Sequence, residues 1–505
     1  MSSTIDRLET GIEGFDAIGH GGLPEGRVTL VAGSAGAGKT IFGAQFLAAG
    51  IERGEPGVFV TCEESPADLR ANLAGLGWDL KQWEADDEWA FVDASPRPAE
   101  PLTVAGEFDL EALTARIRHA VERIGARRLA LDTLGSLFAE IPRPQVVRRS
   151  LQRIGALLRE MGVTVVVTGE RPHGERGISR HDVEEFVADN VVVLRFRQEE
   201  EKRWRTVEIL KLRGGSHHKG EVSFTILPGR GIQVIPLSSI RLTHQAPTGR
   251  ISSGVAELDR MTGGGLFRGS TVLLSGATGT GKTLASIQFL HGNVETGERG
   301  LLLAYEESRR QLVRNAASWG MDLEAREAED RLRILSVYPE TRSLEDHLIR
   351  VREEVEEMEP TVLALDSLSA LERVSTEKSY REFVVALTAF LKERKITSFL
   401  TSTTTELFGG ASITEGNVST IADAIILMRY VEVYGELRRG LAVLKMRGSK
   451  HDKRIREVVI DDTGMHVGSP FRAVTGIMGG RVVDVSTAER DRLQDLADTD
   501  ERADG

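Results

Sequence analysis

Gly33-Ser34-Ala35-Gly36-Ala37-Gly38-Lys39-Thr40 follows a short apolar run, Val28-Thr29-Leu30-Val31-Ala32, and opens a segment of helical character. This is the pattern of a phosphate-binding P-loop. Its glycines let consecutive backbone amides turn toward a phosphate, its lysine reaches the outer phosphates, and its threonine hydroxyl faces Mg2+. Gly276-Ala277-Thr278-Gly279-Thr280-Gly281-Lys282-Thr283 meets the same pattern 243 residues further on. Two complete loops, each set between a strand and a helix, argue against a mere glycine turn.

Working outward from the loops, the whole chain proves to be repeated. Gly11-Ile12-Glu13-Gly14-Phe15-Asp16 is echoed by Gly254-Val255-Ala256-Glu257-Leu258-Asp259, and Glu63-Glu64 by Glu306-Glu307, at the same offset of 243. Beyond that point the offset drops to 234: Leu131-Asp132 pairs with Leu365-Asp366, and Leu210-Lys211-Leu212-Arg213-Gly214 with Leu444-Lys445-Met446-Arg447-Gly448. The first copy therefore carries nine extra residues, which the Pro- and Gly-containing stretch Ala94 to Gly106 accommodates as a loop. Domain one is expected over residues 1–245, domain two over 250–468, and a charged, weakly apolar tail over 469–505. In each copy short apolar strands alternate with helical segments, which predicts an α/β fold with a mostly parallel central sheet. Every motif then falls at a strand's carboxyl end, where such sheets bind ligands.

Composition narrows the function. The 505 residues carry a formal net charge of -12, which argues against a surface built to track nucleic acid. No apolar stretch reaches membrane-spanning length and no secretory pattern opens the chain, so a cytoplasmic, non-membrane protein is expected. Cys62 is the single cysteine and reads as a buried structural thiol in a reducing compartment.

Asp132 and Asp366 end apolar strands and fit the second metal-associated carboxylate of a P-loop ATPase, beside Thr40 and Thr283. A lone strand-end aspartate is as often a helix cap; its matched recurrence favours the metal role. The Glu63-Glu64 and Glu306-Glu307 pairs also end strands. Adjacent carboxylates near a polyphosphate repel, so at least one is expected to position water or accept a proton. Which glutamate is the base stays open. Lys211 with Arg213, and Lys445 with Arg447, lie too far along the chain to be P-loop residues; they read either as an arginine-finger pair for a neighbour's nucleotide or as a solvated basic face.

Taken together these motifs, with Glu184-Glu185-Phe186-Val187-Ala188-Asp189-Asn190 and Arg250-Ile251-Ser252-Ser253-Gly254, make the chain resemble the KaiC family over about residues 5–475. The resemblance implies tandem RecA-like P-loop NTPase domains that form a double-ring homohexamer, with ATP and Mg2+ bound between subunits. It implies that the first ring is mainly an ATPase, and that the second is a serine/threonine autokinase able to run in reverse. By motif match Glu63, Glu64, Glu306 and Glu307 are the catalytic pairs, Lys211, Arg213, Lys445 and Arg447 line the neighbour's nucleotide, and Ser419 and Thr420 are the phosphoacceptors. Thr414 matches a threonine that holds phosphate transiently. At the offset of 234, Arg180, Glu185 and Phe186 stand opposite Thr414, Ser419 and Thr420, so the first copy has no acceptor hydroxyl. The resemblance also implies a KaiB-like partner on the first ring. The acidic ending after Ser486 departs from the family's tail and argues against a KaiA-type activator. The rival readings are a RecA-like DNA-binding ATPase and an ATP-stabilised scaffold hexamer.

Overall fold

The computed structural model describes residues 6–95, 110–133, 135–136, 144–171, 188–199, 202–235, 247–404, 418–433, 436–471, 474–475 and 483–484. The chain divides into two compact units, Met1–Ser239 and Ile240–Gly505.

In the first unit the P-loop strand β1 (Val28–Gly33) leads to helix α1 (Lys39–Ile51), then β2 (Gly57–Thr61), α2 (Pro66–Ala74) and β3 (Trp89–Asp93). There follow α3 (Leu110–Ile124), β4 (Arg128–Asp132), α4 (Pro144–Glu160) and β5 (Thr164–Glu170). Strands β6 (Asn190–Glu199), β7 (Lys202–Leu212), β8 (Val222–Leu227) and β9 (Gly231–Val234) complete one nine-stranded sheet in the order 9-8-7-6-1-5-4-2-3. The pairings from β3 across to β6 are parallel; those from β6 to β9 are antiparallel.

The second unit repeats this plan. It comprises β10 (Thr271–Gly276), α5 (Lys282–Glu295), β11 (Gly300–Ala304), α6 (Arg309–Ala317), β12 (Leu332–Ser336), α7 (Leu344–Met358) and β13 (Val362–Asp366). It continues with α8 (Leu368–Arg373), α9 (Glu377–Glu393), β14 (Thr397–Thr403), a short α10 (Val418–Ile421), β15 (Ala424–Val433), β16 (Glu436–Met446), β17 (Arg456–Asp461) and β18 (Gly464–Pro470). Its order, 12-11-13-14-10-15-16-17-18, is the same as in the first sheet. Both units are thus the mostly parallel α/β domains that the strand and helix alternation predicts.

The central strands are apolar without alternation because helices cover both faces. Val28–Gly33 and Thr271–Gly276 are buried at every residue. Helices α1 and α5 are apolar around most of their circumference for the same reason, lying between the sheet and a second layer. Phe289 of α5 stacks on Phe399 of β14 with ring centroids 5.1 Å apart. Removing such a buried ring costs about 3–5 kcal/mol. This packing fixes the P-loop helix, and with it the loop.

Candidate nucleotide site

Each P-loop takes its shape from positions that only glycine tolerates. Gly36 and Gly38 have φ of 72° and 98°, Gly279 and Gly281 of 79° and 107°. A Cβ on Gly33 would stand 2.6 Å from the Leu194 carbonyl oxygen, and one on Gly276 2.5 Å from that of Met428. The loop lysines fold back on their own loops: Lys39 Nζ donates to Ser34 O at 3.1 Å, and Lys282 Nζ to Gly276 O and Ala277 O at 2.9 and 3.0 Å. Burial lowers the Lys282 pKa against the opposing pull of Asp366 and Glu306.

The strand-end aspartates meet the loop threonines. Thr40 Oγ1 donates to Asp132 Oδ2 at 2.7 Å, and Thr283 Oγ1 to Asp366 Oδ2 at 2.6 Å. The second aspartate oxygen accepts from Thr168 in the first unit and Thr401 in the second. Burial raises the Asp366 pKa, partly offset by Thr283 and Thr401. A hydroxyl and a carboxylate in contact are hard oxygen donors that suit Mg2+. Among the described residues no group of three or more His, Cys, Asp or Glu side chains could hold a metal alone. Mg2+ commonly needs no such cage, because substrate phosphates and waters complete its shell.

The glutamates of each pair are held apart and in matched ways. The first accepts from the hydroxyl that follows the aspartate: Thr133 Oγ1 to Glu63 Oε1 at 3.1 Å, Ser367 Oγ to Glu306 Oε2 at 3.0 Å. The second accepts from an asparagine eight residues on: Asn72 Nδ2 to Glu64 Oε2 at 2.7 Å, Asn315 Nδ2 to Glu307 Oε2 at 3.1 Å. Glu306 alone also takes an arginine, with Arg373 Nη2 2.5 Å from Oε1. Burial, then the charge of Asp366, raises the Glu307 pKa. Cys62, beside Glu63, is buried, and burial pushes its thiol up to about 12, as befits an inert structural thiol.

The Lys–Arg pairs lie elsewhere. Asn190 pairs with Thr29 near the start of β1, and Leu212 pairs with Asn190, so Lys211 and Arg213 lie level with that start. Lys211 Nζ donates to Ala188 O at 2.9 Å and Arg213 Nη1 to Asp189 Oδ1 at 3.2 Å. In the second unit Arg447 Nη2 donates to Thr420 O at 2.9 Å, and its Nη1 is 3.5 Å from Asp423 Oδ1. The Asp423 side chain in turn accepts from the Thr271 amide at 2.9 Å, at the first residue of β10. Burial, then Arg447, lowers the Lys445 pKa. Both pairs thus stand at the strand's beginning, whereas the P-loop of the same unit leaves its end, about 17 Å away for five residues of strand. Thr420 is exposed on α10, whose backbone also includes Ser419; the Ser419 side chain, Thr414, Arg180, Glu185 and Phe186 lie outside the described residues.

Several side chains at the site escaped the sequence reading. Besides Asn72, Asn315, Thr168 and Thr401, an arginine and an aromatic ring cover each loop. Arg205 Nε donates to Gly36 O at 3.2 Å with its guanidinium over Phe196, and Arg439 Nε donates to Gly279 O at 3.3 Å with its guanidinium over Tyr430. Matching positions in the repeat were the available signal.

A P-loop on the central strand of a parallel sheet, its threonine joined to a strand-end aspartate, defines a P-loop ATPase domain of the RecA type, and this chain carries two. The family model for the KaiC ATPase matches residues 8–239 and 251–471. The chain is 55% identical to the circadian clock protein KaiC3 of Synechocystis sp., over 98% of both chains. It is 48% identical to the circadian clock oscillator protein KaiC of Thermostichus vulcanus, over 98% of this chain and 95% of that one. The same identity holds against the KaiC of Synechococcus elongatus, over 97% and 94%. The chain belongs to the KaiC family. Among the described residues no helix is long and apolar enough to cross a membrane.

Proposed function

We propose that the chain is an ATPase and serine/threonine autokinase that works as a homohexamer, with hydrolysis in the first domain and reversible self-phosphorylation of Ser419 and Thr420 in the second. One observation carries the reading. The acceptor helix and Arg447 stand together at the beginning of β10, while the P-loop of the same domain leaves its end. An acceptor so placed needs a nucleotide held by another copy, and a ring of like subunits brings the two together. The first domain has the same placement of Lys211 and Arg213 but no hydroxyl opposite Ser419 and Thr420, which supports hydrolysis there.

In the first domain Glu63 or Glu64 orients water toward the γ-phosphate of ATP. In the second, the Ser419 or Thr420 oxygen forms a bond to the γ-phosphorus as its bond to the bridging β–γ oxygen breaks. ADP leaves, and the hydroxyl proton passes to Glu306 or Glu307. Lys282 and the neighbour's Lys445 and Arg447 neutralise the charge that builds on the phosphoryl oxygens. Thr283 and Asp366, like Thr40 and Asp132, would hold Mg2+, which when bound supplies further charge neutralisation and aligns the outer phosphates. The relatives' names place them in circadian timing, and a timing or signalling output, with a KaiB-like partner on the first ring, is the biological role that fits.

The test is to incubate the purified full chain with ATP and Mg2+ and to measure phosphate release and phosphopeptides in parallel. A phosphopeptide containing Ser419 or Thr420, lost in Glu306→Gln/Glu307→Gln while phosphate release persists, is expected. Release without any such phosphopeptide rejects the autokinase. ATP held with neither outcome favours the scaffold.

A further inference from the structure

The second glutamate of each pair is fixed at two points. Its side chain accepts from Asn72 or Asn315. Its backbone carbonyl accepts from a hydroxyl: Thr61 Oγ1 to Glu64 O at 2.5 Å, Ser336 Oγ to Glu307 O at 2.6 Å. Those hydroxyls come from different places, the glutamate's own strand β2 in one unit and the neighbouring strand β12 in the other. The asparagine comes from the same place in both, the seventh residue of a nine-residue helix that begins after a serine cap. Asparagine is a poor helix former beside alanine, because its side chain competes for backbone hydrogen bonds. Asn72 is exposed and Asn315 half-buried, so core packing does not account for either. What the two share is the amide donated to the second glutamate.

We infer that Asn72 and Asn315 are positioning residues that aim Glu64 and Glu307 at the P-loop threonine and strand-end aspartate, assigning these second glutamates to the Mg2+ side of each site. The first glutamates, on Thr133 and Ser367, are left facing the attacking group. Glu307 feels both the Thr283 hydroxyl and the charge of Asp366, as a carboxylate turned toward that corner must. In the second unit the asparagine is itself steadied, Arg314 Nη2 donating to Asn315 Oδ1 at 3.2 Å, whereas Ala71 stands at the equivalent position of the first. Residues that orient a metal's surroundings act on metal affinity more than on nucleotide affinity.

This inference rests on the nucleotide-site reading above, and the experiment separates the two. Full-length wild type, Asn315→Ala, Asn315→Asp and Asn315→Gln are titrated with Mg2+ at fixed ATP, following the Ser419/Thr420 phosphopeptide. In parallel, binding of a fluorescent ATP analogue is measured in EDTA and in Mg2+. For Asn315→Ala the Mg2+ midpoint should rise about 10-fold, and the Mg2+-dependent gain in analogue affinity should fall by the same factor. Affinity in EDTA should not change. Asn315→Asp, the same size but with a carboxylate facing Glu307, should be worse, and Asn315→Gln should recover part of the loss. Asn72→Ala should shift the Mg2+ midpoint of phosphate release and leave that of the phosphopeptide in place. Wild-type midpoints in Asn315→Ala and Asn315→Asp overturn the inference, as does a lower melting temperature with an unmoved midpoint. A wild type that binds the analogue with Mg2+ but forms no phosphopeptide defeats the autokinase alone, and the binding arm still decides for Asn315.

Discussion

The two domains share a nucleotide cradle and differ in what surrounds the attacking group. Loop, threonine and aspartate agree bond for bond, from Thr40–Asp132 to Thr283–Asp366. The first glutamates do not. Glu63 has a threonine hydroxyl on one oxygen, whereas Glu306 has Ser367 on one and Arg373 on the other. The residue opposite Arg373 in the first copy is Ala139. Beyond the site, Asp452 of the second domain stands opposite His218 of the first, each donating its amide to the repeated turn, at Met261 O or Ile18 O. Duplication has kept the parts that grip phosphate and varied those that choose what attacks it and what holds the neighbouring loop.

The largest test of that contrast asks whether acceptor and nucleotide belong to different subunits. Lys282→Ala chains lack a working second P-loop, and Ser419→Ala/Thr420→Ala chains lack the acceptor. Neither alone should form phosphopeptide. Hexamers assembled from a mixture should do so on the Lys282→Ala chains, because their acceptors face the intact loops of their partners. An arginine-finger geometry contributes about 10³-fold or more to such transfer, so the outcome is close to all or none. Continued silence in verified mixed rings would place attack within one subunit and contradict the strand geometry.

Much of this architecture was readable in the sequence because its motifs are local. Each P-loop is a continuous run between a strand and a helix, and Asp132 and Asp366 close apolar strands, so spacing alone located them. Contacts that join distant strands were not local. Arg205 and Arg439 reach Gly36 and Gly279 from a hairpin far along the chain, and only their repetition at an offset of 234 signalled them. Asn72 and Asn315 carried the offset of 243 and looked like ordinary helix residues. Thr168 and Thr401 are 233 apart, one residue out of frame, which hides them from a fixed-offset comparison. The antiparallel half of each sheet was also invisible, since a strand's direction depends on partners that periodicity does not name. Ser419 and Thr420 were legible through resemblance, because isolated hydroxyls carry no pattern of their own.

A smaller effect should separate the glutamates. Arg373 and Glu306 are 62% and 41% exposed, so their ion pair contributes at most about 1 kcal/mol. In a Glu63→Gln/Glu64→Gln background, which silences the first domain, Arg373→Ala should raise phosphate release by up to about 5-fold as Glu306 becomes free to orient water. A fall in release would mean that Arg373 stabilises the transferring phosphoryl group, and the contrast with Ala139 would then concern charge and not restraint.

The smallest effect concerns the loop that follows Arg447. Burial would raise the Asp452 pKa, but hydrogen bonds from Arg454 and Arg456 prevail and lower it from 3.8 to about 2. A carboxylate whose folded-state pKa is depressed stabilises the fold fully above its unfolded value. That contribution fades as pH falls from about 4 toward 2. Arg454 is largely exposed, so solvent screening reduces it to about 1 kcal/mol. Asp452→Asn should therefore loosen the second domain by that amount at neutral pH, with hydrogen exchange at residues 447–452 rising about 5-fold. As pH approaches 2 the difference from wild type should vanish. The equivalent first-domain loop carries His218 and should show no such acid response. If the two loops lost protection together between pH 4 and 2, Asp452 would not be the group that distinguishes them.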